Sequence, residues 1–216
     1  MMKKIMEESD IRRALIRIVH EIIEHNRGTK KLAFIGIKRR GDIIARRIAE
    51  RIKANEGLTV PIGALDINLY RDDLQLISDA PIVEGTDINF DVNKRIIVLV
   101  DDVLYTGRTI RAAIEEILDF GRPMAIQLAV LIDRGHRELP IQADYVGKKL
   151  PTAKHEIVDV RIKELDGEDC VLLQADLKHK SSKNRPANAP PRIQMPRQPR
   201  QKVKQLTIES PKKDES

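Results

Sequence analysis

Two adjacent carboxylates, Asp101 and Asp102, stand at the end of a branched apolar run and are followed at once by Val103-Leu104-Tyr105-Thr106-Gly107-Arg108-Thr109. The run reads as a buried strand over 95–100, and the pattern after the turn predicts a helix over 109–120. Strand, short turn and helix in that order put the turn at the C-terminal edge of an open α/β sheet, where such sheets bind ligands. The chemistry available there suits a sugar phosphate. The first N–H groups of a helix lack intrahelical acceptors, and the helix dipole favours an anion beside them. Gly107 lets a phosphate approach the backbone closely, and Thr106 and Thr109 add hydroxyl donors. Carboxylates beside a phosphate repel it unless they serve another part of the ligand. Asp101 and Asp102 are therefore matched to ribose hydroxyls, directly or through a magnesium shell. The pair alone is equally compatible with a plain strand end, or with magnesium ligation in another phosphotransfer fold.

A second loop, Gly36-Ile37-Lys38-Arg39-Arg40-Gly41, also follows a predicted strand (32–37) and precedes a predicted helix (42–53). Its glycines have Walker A spacing, but Asp42-Ile43 stands where that loop requires Lys-Ser/Thr, which excludes that nucleotide triphosphatase chemistry. Three consecutive cations at the same sheet edge suit pyrophosphate instead. Taken alone, the loop also reads as a basic surface turn.

The elements that must position these loops are legible as hydrophobic periodicity. Ile11, Leu15, Ile18, Val19, Ile22 and Ile23 recur at three- and four-residue spacing, which predicts a helix capped by Ser9 or Asp10 and stopped by Asn26-Arg27-Gly28. Residues 1–10 read as a frayed start. Further strands are predicted over 60–69 and 126–132, from 145 onward, and as a terminal pair at 156–165 and 170–173. Residues 70–93 form a long polar excursion of the kind that carries function. Apolar strands alternating with helices give an α/β class, a mainly parallel central sheet flanked by helices.

Composition sets the frame. The chain has 216 residues, 41% hydrophobic and 33% charged, enough for a sizeable core. No apolar run is long enough to span a bilayer, and the N-terminus lacks the apolar stretch of a signal peptide. Cys170 is the only cysteine, which excludes an internal disulfide and a cysteine-based zinc site. A reducing, cytoplasmic location is the default. The net charge is +6, but residues 178–216 carry 11 basic and 3 acidic groups, or +8, leaving the rest at −2. The basicity belongs to this proline-rich tail, which reads as disordered and separate from a domain at 1–177. It is either an arm for nucleic acid or a dispensable extension.

From residue 11 to about residue 173 the sequence resembles the PyrR family, pyrimidine operon attenuation regulators that are also uracil phosphoribosyltransferases, within the type I phosphoribosyltransferases. The resemblance rests on IRRALIRIVHEIIEHNRG (11–28), LDINLYRDDL (65–74), IIVLVDDVLYTGRTIRA (96–112) and IQLAVLIDRGHRELPIQADYVGK (126–148). The string from Asp133 to Glu138 sets it apart from hypoxanthine and orotate enzymes of the same fold. The resemblance implies the type I fold with a small hood, and the reaction of uracil with 5-phosphoribosyl-1-pyrophosphate (PRPP) to give UMP and pyrophosphate. Mg2+ would arrive with PRPP and need no dedicated protein cage. Lys38, Arg39, Arg40, Asp101 and Asp102 form the expected catalytic set. Arg39 and Arg40 would contact pyrophosphate, and Asp101, Asp102, Val103, Leu104, Tyr105, Thr106, Gly107, Arg108 and Thr109 would hold the ribose 5-phosphate. Arg134 and the backbone near Val158 would lie over uracil, and Arg71 would ride on a closing loop. His136 suits an acid–base, a structural or an RNA-facing role.

The family also binds a stem-loop in pyr mRNA leaders, promoted by UMP. Arg12, Arg13, Arg17, His20 and His25, on faces of the first helix away from its apolar stripe, are the candidate RNA contacts, with Arg137. Aromatic content of 3% and no Trp speak against a stacking platform, so recognition would rest on phosphates and shape. Arg39 departs from the pattern, which commonly has Thr there. A homodimer or higher homo-oligomer is implied, without a number. The alternatives are a uracil phosphoribosyltransferase with no RNA role, and an RNA regulator that senses nucleotides without turning over PRPP.

Overall fold

A computed structural model of the chain describes residues 2–67 and 85–175. Arg71, the tail 178–216 and the boundary before it lie outside the described residues. The elements in chain order are β1 (Met2–Met6), α1 (Glu8–His25), β2 (Leu32–Ile37), α2 (Arg40–Glu56), β3 (Ile62–Leu65), β4 (Ile96–Leu104), α3 (Arg108–Asp119), β5 (Ala125–Asp133), β6 (Tyr145–Lys149), β7 (Glu156–Arg161), α4 (Lys163–Asp166) and β8 (Cys170–Ala175). Five strands make one parallel sheet of order β3-β2-β4-β5-β6. Every residue of β2 is buried, because helices cover both faces of the sheet. On one face Ile11, Leu15, Ile18 and Ile22 of α1 and Ile44, Ile48 and Ile52 of α2 pack with Phe34, Val98, Val100 and Leu131. On the other, Ile110, Ala113 and Ile117 of α3 pack with Ile35, Ile97, Leu99 and Val130.

The start of the chain differs from its reading. Residues 2–6 are not frayed; they pair antiparallel with β8, Met2 opposite Gln174 and Met6 opposite Val171. Within Met-Lys-Lys-Ile-Met only Met6 is fully buried, so no apolar alternation betrays the strand. Long-range pairing makes it, and its lysines suit an edge strand. The helix cap is Glu7 rather than Ser9 or Asp10. Asp10 supplies the other half of a capping box, its carboxylate accepting the Glu7 N–H at 3.0 Å.

β1, β8 and β7 form a second, antiparallel sheet, the hood. The predicted strand 156–165 ends at Arg161, where the short turn α4 begins and is stopped by Gly167 at φ +81°. Ion pairs bind this sheet to α2. Arg47 donates to both carboxylate oxygens of Asp169 at 2.7 and 2.9 Å and through Nε to Glu164 at 2.9 Å. Burial pushes the Asp169 carboxyl up, but the Arg47 hydrogen bonds, the Lys163 N–H and the charges of both residues together more than reverse this and hold it below its ordinary value. The Arg47 hydrogen bond likewise holds Glu164 down. Arg47→Met is expected to lower stability by about 2 kcal/mol, less than for a fully buried pair because Glu164 is half exposed. Groups with lowered pKa stabilise the fold above their unfolded values, and that stability fades as pH falls through the folded ones. The difference between variant and parent in urea titrations should therefore shrink below about pH 4.

Candidate active site

β2 and β4 run side by side up to Gly36 opposite Val100, and there β2 gives way to the turn that starts α2. β4 continues to Leu104, paired on its other side with β5 as far as Asp133. The strand therefore extends past the predicted end at Val100, and Asp101 and Asp102 lie within it. The edge that β2 vacates is where a cavity of about 630 Å³ opens.

The glycines of the basic loop explain how α2 starts so close to this edge. A Cβ on Gly36 would collide with the backbone of Asp42, and one on Gly41 with the carbonyl of Val100. Their spacing thus has a steric reason of its own. The Lys38–Arg39 peptide is cis. The Lys38 N–H donates to the Leu65 carbonyl at 2.8 Å and its Nζ to the Gly85 carbonyl at 3.1 Å. Arg39 is exposed. Arg40 donates to both oxygens of Asp166 at 3.2 and 3.0 Å, joining the basic loop to the hood.

Lys38, Arg39, Arg40, Asp101 through Thr109, Arg134 and Val158 all line the one cavity. The sequence reading missed Ile37, Ile110, Arg111 and Glu138, which line it too. Glu138 accepts from Arg108 Nε at 2.8 Å, and its only signal in the sequence is its place in the 133–138 string. Successive strand residues point to opposite faces, so the two carboxylates leave β4 on different sides. Asp101 is buried and accepts the Asp102 N–H at 2.9 Å, and Asp102 accepts the Val103 N–H at 2.8 Å. Burial pushes the Asp102 carboxyl above its ordinary value, and the Arg40 charge and these hydrogen bonds offset only part of that.

The segment after β5 straps the phosphate loop from outside. The N–H groups of Glu138 and Leu139 donate to the Thr106 carbonyl at 2.9 and 3.2 Å. Arg137 donates to the carbonyls of Leu104, Tyr105, Gly135 and Ile141 at 3.3, 2.8, 3.1 and 3.0 Å, and pairs with Asp133 at 2.6 Å. Arg137, read as a candidate RNA contact, is half-buried and occupied in holding the loop. Gly107, at φ +92°, caps α3. His136 packs edge-on to Tyr105 at 6.1 Å and bonds through Nε2 to the Thr152 carbonyl. Arg134 is buried; it donates to Thr152 Oγ1 at 3.1 Å and to the carbonyls of Ala153 and Glu156 at 3.2 and 2.7 Å. Those bonds tie the approach to β7, and with it Val158, to the strap.

The cations of α1 do not share one face. Arg13, Arg17 and His20 fall on the stripe opposite the apolar one, by the 100° step of the helix. Arg12 lies to one flank, in a groove it shares with Arg47, Arg51 and Lys163. His25 lies to the other flank, its ring edge-on to Tyr145 at 5.9 Å. Arg17 donates to the carbonyls of Val146 and Gly147 on β6, and Arg13 pairs with Asp10. Among the described residues no group of three or more His, Cys, Asp or Glu is placed to hold a metal, and no helix is long and apolar enough to cross a membrane.

A parallel sheet whose C-terminal edge carries a carboxylate-bearing phosphate loop and a basic loop under a small hood defines a phosphoribosyltransferase. Residues 2–165 match the phosphoribosyl transferase domain. A hypoxanthine phosphoribosyltransferase of Staphylococcus aureus superposes with a TM-score of 0.59 at 20% identity, over 82% of this chain and 94% of that one, a likeness of fold. The chain is 60% identical over 170 residues to the bifunctional protein PyrR of Acetivibrio thermocellus, covering 79% of this chain and 92% of the relative. It is 59% identical to that of Pelotomaculum thermopropionicum, covering 79% and 94%. The chain belongs to the PyrR family of phosphoribosyltransferases.

Proposed function

We propose that the chain transfers the phosphoribosyl group of PRPP to uracil, giving UMP and pyrophosphate, and that it binds pyr leader RNA when UMP is bound, attenuating transcription. The observation that carries the reading is the convergence of both phosphate loops and Arg134 on one cavity. In displacement at an anomeric carbon, positive charge develops on the ribose while negative charge develops on the departing pyrophosphate. Lys38, Arg39 and Arg40 supply cations for the leaving group, held in place before the reaction. Asp101 and Asp102 accept hydrogen bonds from the ribose hydroxyls, and the N–H groups of residues 105–109 with the Thr106 and Thr109 hydroxyls hold the 5-phosphate. Arg134, from the strap after β5, and the backbone at Val158, from the hood, hold uracil. Their joint effect is alignment of two reactants, for which no covalent nucleophile is needed. Mg2+ would arrive with PRPP and would supply positive charge to the pyrophosphate, and Asp101 and Asp102 would meet the ribose hydroxyls directly or through its shell.

For RNA, Arg13, Arg17 and His20 form the central stripe, with Arg12 and His25 at its flanks. The arginines among them contact phosphates, so binding should weaken steeply with salt. A cytoplasmic homodimer or higher homo-oligomer fits the family. The test is a paired assay on the full chain: UMP formation from uracil, PRPP and magnesium, beside binding to a pyr leader RNA with and without UMP at several salt concentrations. Turnover with UMP-enhanced RNA binding is the expected result. Turnover without specific RNA binding removes the regulatory half, and RNA binding without turnover removes the enzymatic half.

A further inference from the structure

The phosphate loop uses backbone groups and threonine hydroxyls, and this leaves the Tyr105 side chain without a task. Its ring lies on the cavity wall, with the Arg134 guanidinium over its face at 4.1 Å from the ring centre and His136 against its edge. Arg134 is only 7% exposed, and its hydrogen-bond acceptors are one hydroxyl and two carbonyls. Burial pushes the guanidinium pKa down, which marks a cation removed from water. The electron-rich face of Tyr105 attracts that charge, alongside the Glu156 carboxylate, and a desolvated contact of this kind is worth more than an exposed one. It also fixes the guanidinium plane, because the cation is held on one side by a ring and at its rim by three acceptors.

We propose that Tyr105 is a positioning residue for the nucleobase: its ring sets the plane of Arg134 over the base subsite, so the phosphate loop itself governs affinity for uracil. The proposal rests on the phosphoribosyltransferase reading above. The loop backbone serves the ribose phosphate, whereas this side chain serves the other half of the ligand. Losing the ring should therefore separate the two halves.

The experiment compares the full chain with Tyr105→Leu, which fills similar space without a π face, and Tyr105→Phe, which keeps the face. Calorimetry measures binding of UMP and of ribose 5-phosphate, and initial rates give KM for uracil and for PRPP. Tyr105→Leu is expected to weaken UMP about thirtyfold, the size of a desolvated cation–π contact, with a much smaller effect on ribose 5-phosphate. The uracil KM should rise in the same way against the PRPP KM. Tyr105→Phe should restore both. Equal weakening of UMP and ribose 5-phosphate, or no weakening of either, overturns the proposal. If the parent chain binds UMP but makes none from uracil, the enzymatic reading fails, and the difference between the two ligands still decides the role of Tyr105.

Discussion

Asp102→Asn is expected to lower kcat/KM for UMP formation by a factor of about 100 to 1,000, the usual effect of removing one preorganised electrostatic group from an active site. The same substitution should make the folded protein more stable at neutral pH. Both effects have one origin. Asp102 faces the cavity but is surrounded by protein, and burial raises its pKa from the ordinary 3.8. An ionised carboxylate there is held against its preference, partly offset by Arg40 and by the Val103 N–H. An amide keeps the acceptor for Val103 and carries no charge to desolvate.

The sign follows from proton binding. With its pKa raised, the folded chain binds a proton more readily than the unfolded one, so this group makes stability fall as pH rises between the unfolded and folded values. Above both, the penalty is complete; below both, it is absent. Asp102→Asn should therefore gain about 1 kcal/mol at pH 7, the scale on which functional sites trade stability for activity, and lose that advantage as pH falls toward 4. Activity of the parent should fall on the acid side at a pH above the ordinary carboxylate value, because the ionised form is the one proposed to accept the ribose hydroxyls. Urea titrations at both pH values and a pH–rate profile check this. An Asn variant that is active, or less stable than the parent at pH 7, would show that Asp102 is an ordinary strand-end carboxylate.

The parts of this site that could be read from sequence are those set by local pattern. The string from Asp101 to Thr109 declares a strand, a turn and a helix in consecutive residues, so its place at a sheet edge follows without tertiary information. The basic loop was legible for the same reason, although its glycines prove to be needed against backbone as well. What was not legible depends on distant pairing. β1 exists because β8 offers it an edge, and Met-Lys-Lys-Ile-Met gives no sign of that. The strand reach of β4 to Leu104 depends on its neighbour β5. Arg137 looked like any surface cation until its carbonyl partners at Leu104 and Tyr105, far away in sequence, came into view. The division of the α1 cations into a stripe and two flanks is different: the helical step alone implies it.

Gly41→Ala should disable the enzyme from a position that bears no functional side chain. The first turn of α2 sits against β4 where β2 leaves the sheet, and a Cβ on Gly41 would overlap the Val100 carbonyl and lie 3.1 Å from the Asp101 Cα. Neither neighbour is the free end of a flexible side chain. Both belong to the backbone of a strand paired with β5 from Ile96 to Leu104, so α2 must yield instead. Overpacking of this kind typically destabilises by about 1–3 kcal/mol. The functional loss should be larger than the stability loss suggests, because α2 carries Arg40, and the loop before it carries Lys38 and Arg39. A shift of about 1 Å in groups that hold reactants costs up to 100-fold in rate. The expected result is a folded variant, somewhat less stable in urea, with kcat/KM for PRPP reduced about 100-fold. Binding of ribose 5-phosphate, which is proposed to rely on the loop at the end of β4, should be weakened much less than binding of pyrophosphate. Equal loss of both ligands would mean that β4 itself had moved, and unchanged kinetics would mean that the approach of α2 to Asp101 has no part in placing the cations.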